Sequence, residues 1–213
     1  MEIVYSKVEH EYLKPGEVTG FYGDVLDLLR YGIDIVGIIY DDDWSVKRFL
    51  NGHKLRLNSR LESIFNYLDL DMKLLNKKIK DLSKTDFKFI LLAYLLVNNV
   101  KYIILDYFDV GLTHKDQKRL VRILRNLKSE GIAIIVLSKN LVFLDQIVNS
   151  IIVVKNNELV YNGKMSLLIS EHIKLVDEPE ILRFISLANK RGANLDLTLD
   201  SKELLKDIYR SVY

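Results

Sequence analysis

The chain has 213 residues, 49% of them apolar and 28% charged, with a formal net charge of +2. That is enough chain and enough apolar content for one packed domain, and it excludes a disordered one. The near balance of charge lacks the basic excess of a nucleic-acid binder, and the absence of cysteine excludes disulfides and thiolate-held metals.

The opening MEIVYSKVEHEYLKPGE carries no apolar run of signal-peptide length. The longest apolar stretch, 87–97, is broken by Lys88 and falls short of the ~20 residues a membrane span requires. The expectation is a cytoplasmic protein that meets the inner face of a membrane only through a partner.

Short β-rich runs alternate with longer helical ones, the pattern of an α/β fold with a mostly parallel sheet. Strands are expected at 3–8, 18–22, 35–40, 102–105, 133–137 and 151–154. Those at 35–40, 102–105 and 133–137 are apolar without alternation, as in strands covered on both faces. Asn156-Asn157 marks a tight hairpin near one sheet edge. Helices are expected at 24–31, 59–68, 86–97, 115–129, 141–148, 179–191 and 201–211. Start signals are Ser83 before Asp86, Thr113 before Asp116, and Ser201 with Glu203; Gly131 and Gly192 sit where helices end. The mainly helical stretch from Trp44 to Lys84 interrupts the alternation as an inserted lobe.

The order of segments between Asp81 and Gly163 is specific. LSKTD at 82–86 precedes the helix FKFILLAYLLVNN, then come the strand KYIILDYFDVGLT at 101–113, a helix to Lys128, GIAIIVLSKN at 131–140 and SIIVVKNNELVYNG at 150–163. Upstream, LKPGEVTGFYGD at 13–24 reads as a strand entering a phosphate loop. In order and spacing this resembles the ATPase domain of ABC transporters: signature, Walker B strand, D-loop, switch strand and closing hairpin. The resemblance covers about residues 1–165, with a helical lobe over approximately 44–100. The tail at 177–212 is similar to the C-terminal extension of energy-coupling factor transporter ATPase subunits, which sets off 166–213 as a helical extension. The implied fold is P-loop NTPase-like.

A phosphate loop needs glycines to bring backbone N–H groups to the phosphates, a lysine for the β/γ oxygens and a Ser/Thr for Mg²⁺. Here Gly20 and Gly23 remain, but no GK[ST] follows; Leu29 and Arg30 stand at the lysine and Ser/Thr positions, and Asp24 and Asp27 put carboxylates where phosphates would sit. A plain helix over 24–31 is the simpler reading, with a rebuilt loop using Arg30 as the alternative. Asp106 ends the strand where the Mg²⁺-side aspartate belongs, but Tyr107 replaces the glutamate that activates water and holds its proton at neutral pH. Lys139 stands for the switch histidine, and the Q-loop glutamine is replaced within Asp41–Asp43. Ser83 and Asp86 flank Lys84 and Thr85, which replace the signature glycines, and Thr113 replaces the D-loop aspartate. Tyr107 and Phe108 replace a Glu-Pro pair and either fill the emptied pocket or pack against the phosphate-loop helix.

The histidines His10, His53, His114 and His172 are scattered, so surface or cap roles are expected rather than a metal site. The run 77–80 reads as a solvated helix face, Asp41–Asp43 as a solvated turn, and Tyr94, Tyr102, Tyr107, Tyr161 and Tyr209 as core or rim. The resemblance implies a degenerate ABC ATPase-like subunit with no cofactor of its own. Its partners would be an active ABC ATPase, transporter membrane subunits, or itself.

Overall fold

A computed structural model describes residues 3–7, 10–50 and 59–212. At its centre lie four parallel strands in the order β4 (Tyr102–Asp106), β5 (Ala133–Leu137), β2 (Val18–Tyr22) and β6 (Ser150–Lys155). Their near-continuous apolar sequences follow from burial on both sides. Val18, Tyr22, Ile103, Leu105, Ile134, Val136, Ile151 and Val153 enter one core, while Phe21, Ile104, Ile135, Leu137, Ile152 and Val154 enter the other.

Antiparallel strands finish the seven-stranded sheet: β1 (Ile3–Ser6) beside β4, β3 (Val36–Gly37) beyond β1, and β7 (Glu158–Lys164) outside β6. Asn156 and Asn157 turn the β6–β7 hairpin, both at positive φ (51° and 67°), which matches the twist of the flanking strands. The expectation of a strand covered on both faces at 35–40 is corrected. Only two of those residues pair, at the sheet edge, and Ile39 is 85% exposed. Edge placement leaves β1 as the sole neighbour, and the chain then turns out into the Asp41–Asp43 loop. Val8, at the end of the first expected strand, lies outside the described residues.

The larger core is covered by α2 (Val46–Leu50), α3 (Ser59–Leu68), α4 (Lys84–Val97), α5 (His114–Ser129), α6 (Leu141–Asp145), α7 (Met165–Glu171), α8 (Glu180–Lys190) and α9 (Ser201–Val212). The smaller core is closed by α1 (Val25–Arg30) and the segment around Leu13 and Ile33. Ser83 and Thr113 cap α4 and α5, each accepting from the N–H of the aspartate three residues on. Gly131 and Gly192 follow helix ends at φ of +81° and +94°. α9 starts at Ser201 with Glu203 in its first turn, as expected, and Asp200 Oδ1 just before it accepts from Lys202 N at 2.8 Å.

Two other readings change in three dimensions. Residues 77–80 lie around a 3₁₀ turn rather than on a helix face, and Asp43 binds Lys80 at 2.7 Å and Lys78 at 3.1 Å. Those ammonium groups hold the Asp43 carboxyl below the usual range. Tyr209, expected at the core or rim, is 66% exposed. His53 lies outside the described residues, and the described histidines join no group of metal-ligating side chains. No helix among the described residues is long and apolar enough to cross a membrane.

The C-terminal segment is tied to the strand that enters the candidate site. Tyr22 at the end of β2 donates its hydroxyl to Asp177 Oδ2 at 2.6 Å, and the same oxygen accepts from Asp177 N at 3.1 Å. Burial, with the Asp177 hydrogen bond, pushes the Tyr22 hydroxyl up to about 12.

Candidate functional site at the strand ends

In a parallel α/β sheet the chemistry collects where strands end and helices begin. Here β2 runs out at Tyr22 into the turn Gly23-Asp24 and then into α1. A helix N-terminus presents unpaired N–H groups and the positive end of its dipole, so it will take an anion from solvent or from its own chain. In this protein the chain supplies the anion. Asp24 Oδ1 accepts from Leu26 N at 2.9 Å, and Asp27 Oδ2 accepts from Asp24 N at 2.9 Å, forming a reciprocal capping box. Asp27 is 6% exposed and its other oxygen takes Arg30 Nη1 at 2.7 Å. Arg30 also reaches Asn157 in the β6–β7 turn. The helix expected at 24–31 is present, but its faces are mixed: Asp27 is buried beside the fully buried Leu28, while Leu26 and Leu29 are 58% and 51% exposed.

Gly20 and Gly23 both stand in close packing, and Gly23 is the tighter of the two. A Cβ on Gly20 would lie 3.2 Å from Val148 and 3.3 Å from Ile151. One on Gly23 would meet the Phe21 ring at 2.7 Å, with Asp27 and Val154 both at 3.2 Å.

Tyr107 follows Asp106 at the end of β4 in a left-handed conformation (φ 48°), and its amide donates to Leu137 O at 3.0 Å. Its hydroxyl crosses to the turn after β2 and donates to Gly23 O at 2.9 Å. Burial raises the hydroxyl above its ordinary value, and Asp106, Asp24, Asp109 and Asp27 add to the shift, so it keeps its proton. Phe108 goes the other way. It is fully buried, edge-on to Phe89 of α4 with ring centroids 6.0 Å apart, so its packing is against α4 and not α1.

Lys88, which interrupts the apolar run of α4, is a member of this region that sequence reasoning missed. It is 4% exposed; Nζ donates to Phe108 O at 2.9 Å and Val110 O at 2.7 Å, and lies 5.3 Å from the Phe108 ring centre. A charge inside an otherwise apolar helix was the available signal. Between those two carbonyls, Asp109 is 4% exposed and its Oδ1 has no hydrogen-bond partner. Burial raises its carboxyl, against the lowering effects of Ser138 and of the Lys88 charge.

The other expected site residues are dispersed around this centre. Lys139 is exposed just beyond β5, next to the buried Ser138, whose Oγ accepts from Asn140 N at 2.9 Å. Ser83 Oγ accepts from Asp86 N at 3.0 Å and donates to Asp86 Oδ2 at 2.8 Å, so the α4 N-terminus is also capped internally; Lys84 is exposed and Thr85 half-buried.

No model of a known protein family matches the chain. A protein described as an ABC transporter ATP-binding protein of Treponema denticola is 27% identical over 163 residues, 76% of this chain and 30% of that protein. One described as a ribose/galactose/methyl galactoside import ATP-binding protein of Geobacillus kaustophilus is 29% identical over 104 residues, 49% of this chain and 20% of its own length. The matches thus span a third or less of the length of these two relatives. Among solved structures, CbiO1 of Clostridium perfringens, part of the transporter complex cbiONQ, superposes with a TM-score of 0.60 at 16% identity, covering 89% of this chain and 96% of that one. The fold is that of ABC transporter ATPase domains.

Proposed function

We propose that the protein is a degenerate, non-hydrolysing ABC ATPase-like subunit that pairs with an active ABC ATPase, with the membrane subunits of a transporter, or with both, in a structural or regulatory role. The reading divides the chain into an ABC ATPase-like domain (1–165, helical lobe about 44–100) and a C-terminal extension (166–213). One observation carries it: the helix end that would receive phosphate is capped by Asp24 and Asp27, and the adjoining turn is held by Tyr107. Bringing a triphosphate there would displace two carboxylates from their N–H partners and set its charge beside them. Transport-complex partners are supported by the likeness to CbiO1, itself part of a transporter complex, and attachment to the inner membrane face would run through such a partner.

The test is titration of the purified chain with a fluorescent ATP analogue and Mg²⁺. No saturable binding is expected into the high micromolar range. Micromolar affinity would overturn the reading and restore the alternative of a rebuilt site using Arg30.

A second reading, a stand-alone interaction module that self-associates through its C-terminal helices, has a specific observation in its favour. Phe184, Leu187, Leu197, Leu205 and Tyr209 are each 49–66% exposed on α8, α9 and their connection. Light scattering after size exclusion separates the two. A dimer that Phe184→Ser with Leu205→Ser converts to monomer favours self-association; a monomer at high concentration excludes it.

A further inference from the structure

At the opposite end of the sheet from Gly23, where β4 and β5 begin, the structure holds a cavity of about 280 Å³ between α3 and the C-terminal ends of α4 and α5. Ile64, Leu96, Val100, Leu127 and Ile132 give it an apolar lining, and polar groups come from α3 and from the residues that join helices to strands. A concave apolar site with a few converging polar groups is the usual form of a small-molecule site, and about 300 Å³ is the lower end of its size range.

The polar groups define what would fit. Arg60 is fixed by donating Nη2 to Leu96 O at 3.3 Å and to Asn99 Oδ1, and among the described residues its other guanidinium N–H groups are uncommitted. Lys101, immediately before β4, accepts at its backbone carbonyl from Ala133 N at 2.9 Å, and its exposed ammonium has no hydrogen-bond or ion-pair partner among the described residues. The lining acid is Glu130, and it faces Tyr67, whose half-buried hydroxyl donates to Ile123 O at 3.4 Å. Burial and the Glu130 carboxylate both raise that hydroxyl, so Tyr67 stays neutral.

The C-terminal ends of α4 and α5 also face the cavity, and their partial negative charge opposes an anion. Their carbonyls are already engaged, Leu96 O by Asn99 N and Arg60, and Leu127 O by Glu130 N and Ile132 N. Two full cations against one carboxylate therefore leave the mouth positive.

We propose that this cavity is a binding site for a small carboxylate with a compact apolar body, its carboxylate on Arg60 and Lys101 and its body against Ile64, Leu96 and Leu127. The site is separate from the strand-end turn, so the inference stands whether or not the chain binds nucleotide. A bound ligand would touch α3, α4 and α5 together, and its occupancy would stiffen their packing on the sheet.

Three matched probes test this: phenylacetate, phenethyl alcohol and phenethylamine, each titrated to millimolar concentration while amide NMR shifts are followed. Saturable shifts centred on Ile64, Asn99 and Lys101 are expected, with phenylacetate binding about tenfold more tightly than the alcohol. Lys101→Glu, at an exposed position where folding is not at risk, is expected to abolish that preference, and Ile64→Trp to abolish binding of all three by filling the cavity. Preference for the amine, equal binding of acid and alcohol, no saturable shift at the lining residues, or a phenylacetate affinity unchanged in Lys101→Glu would each overturn the proposal.

Discussion

Tyr107 and Gly23 meet across 84 residues of sequence, the tyrosine hydroxyl donating to the glycine carbonyl at 2.9 Å. This contact joins the strand end that in an ATPase would activate water to the turn that would hold phosphate. The contact would have to break for any ligand to enter between the two strand ends. Tyr107→Phe removes the donor and leaves a partly buried carbonyl to find water. A loss of about 1 kcal/mol is expected in urea unfolding, with no gain of nucleotide binding. An unchanged midpoint would show that the contact does not stabilise the folded state.

If Gly23 is retained for packing, a methyl group alone should harm the fold. In Gly23→Ala the new Cβ would stand 2.7 Å from the buried Phe21 ring, with Val154 behind it. Overpacking of this kind costs about 1–3 kcal/mol. Combining it with Phe21→Leu should recover part of the loss, because the obstructing ring is gone; purely additive losses would place the strain elsewhere.

Lys88→Met keeps the length and the apolar stem but withdraws the ammonium from Phe108 O and Val110 O. A buried carbonyl at Phe108 and a partly buried one at Val110 lose a charged donor, and a destabilisation of about 2–3 kcal/mol is expected. Hydrogen exchange should rise locally at 107–113 before the central strands are affected. A variant within experimental error of the parent would mean that water takes over the carbonyls without cost.

Asp109 gives a pH dependence. Burial holds its carboxyl above the ordinary value, so the folded protein keeps that proton more firmly than the unfolded chain. Its contribution to stability is fully present below the unfolded value near 4 and is lost as pH rises through the folded value. Relative to the parent, Asp109→Asn should therefore gain stability as pH rises above about 4, the gain levelling off once the parent carboxyl is ionised. Chemical denaturation across that range reads the difference; curves that run parallel for the two proteins would show that Asp109 does not titrate differently on folding.

How much of this was legible beforehand can be followed residue by residue. The strand runs at 102–105 and 133–137 declared burial on both faces, and Ser83, Thr113 and the Asn156-Asn157 pair declared helix starts and a hairpin, because these are local properties of a few adjacent side chains. The missing GK[ST] and the Tyr at 107 were equally plain. The strand at 35–40 misled, since an apolar run reads the same at a sheet edge as at its centre; only pairing with β1 places it.

By itself the sequence determined the kind of fold and that no GK[ST] follows Gly23, since both follow from residue type and spacing along the chain. Tertiary structure alone decided that Asp27 turns inward to close the helix end, that Tyr107 reaches Gly23, that Lys88 finds two carbonyls on another segment, and that a cavity opens beneath α3. Each of those depends on groups far apart in the chain. Their meeting is fixed by how the helices pack on the two faces of the sheet, and not by any local preference.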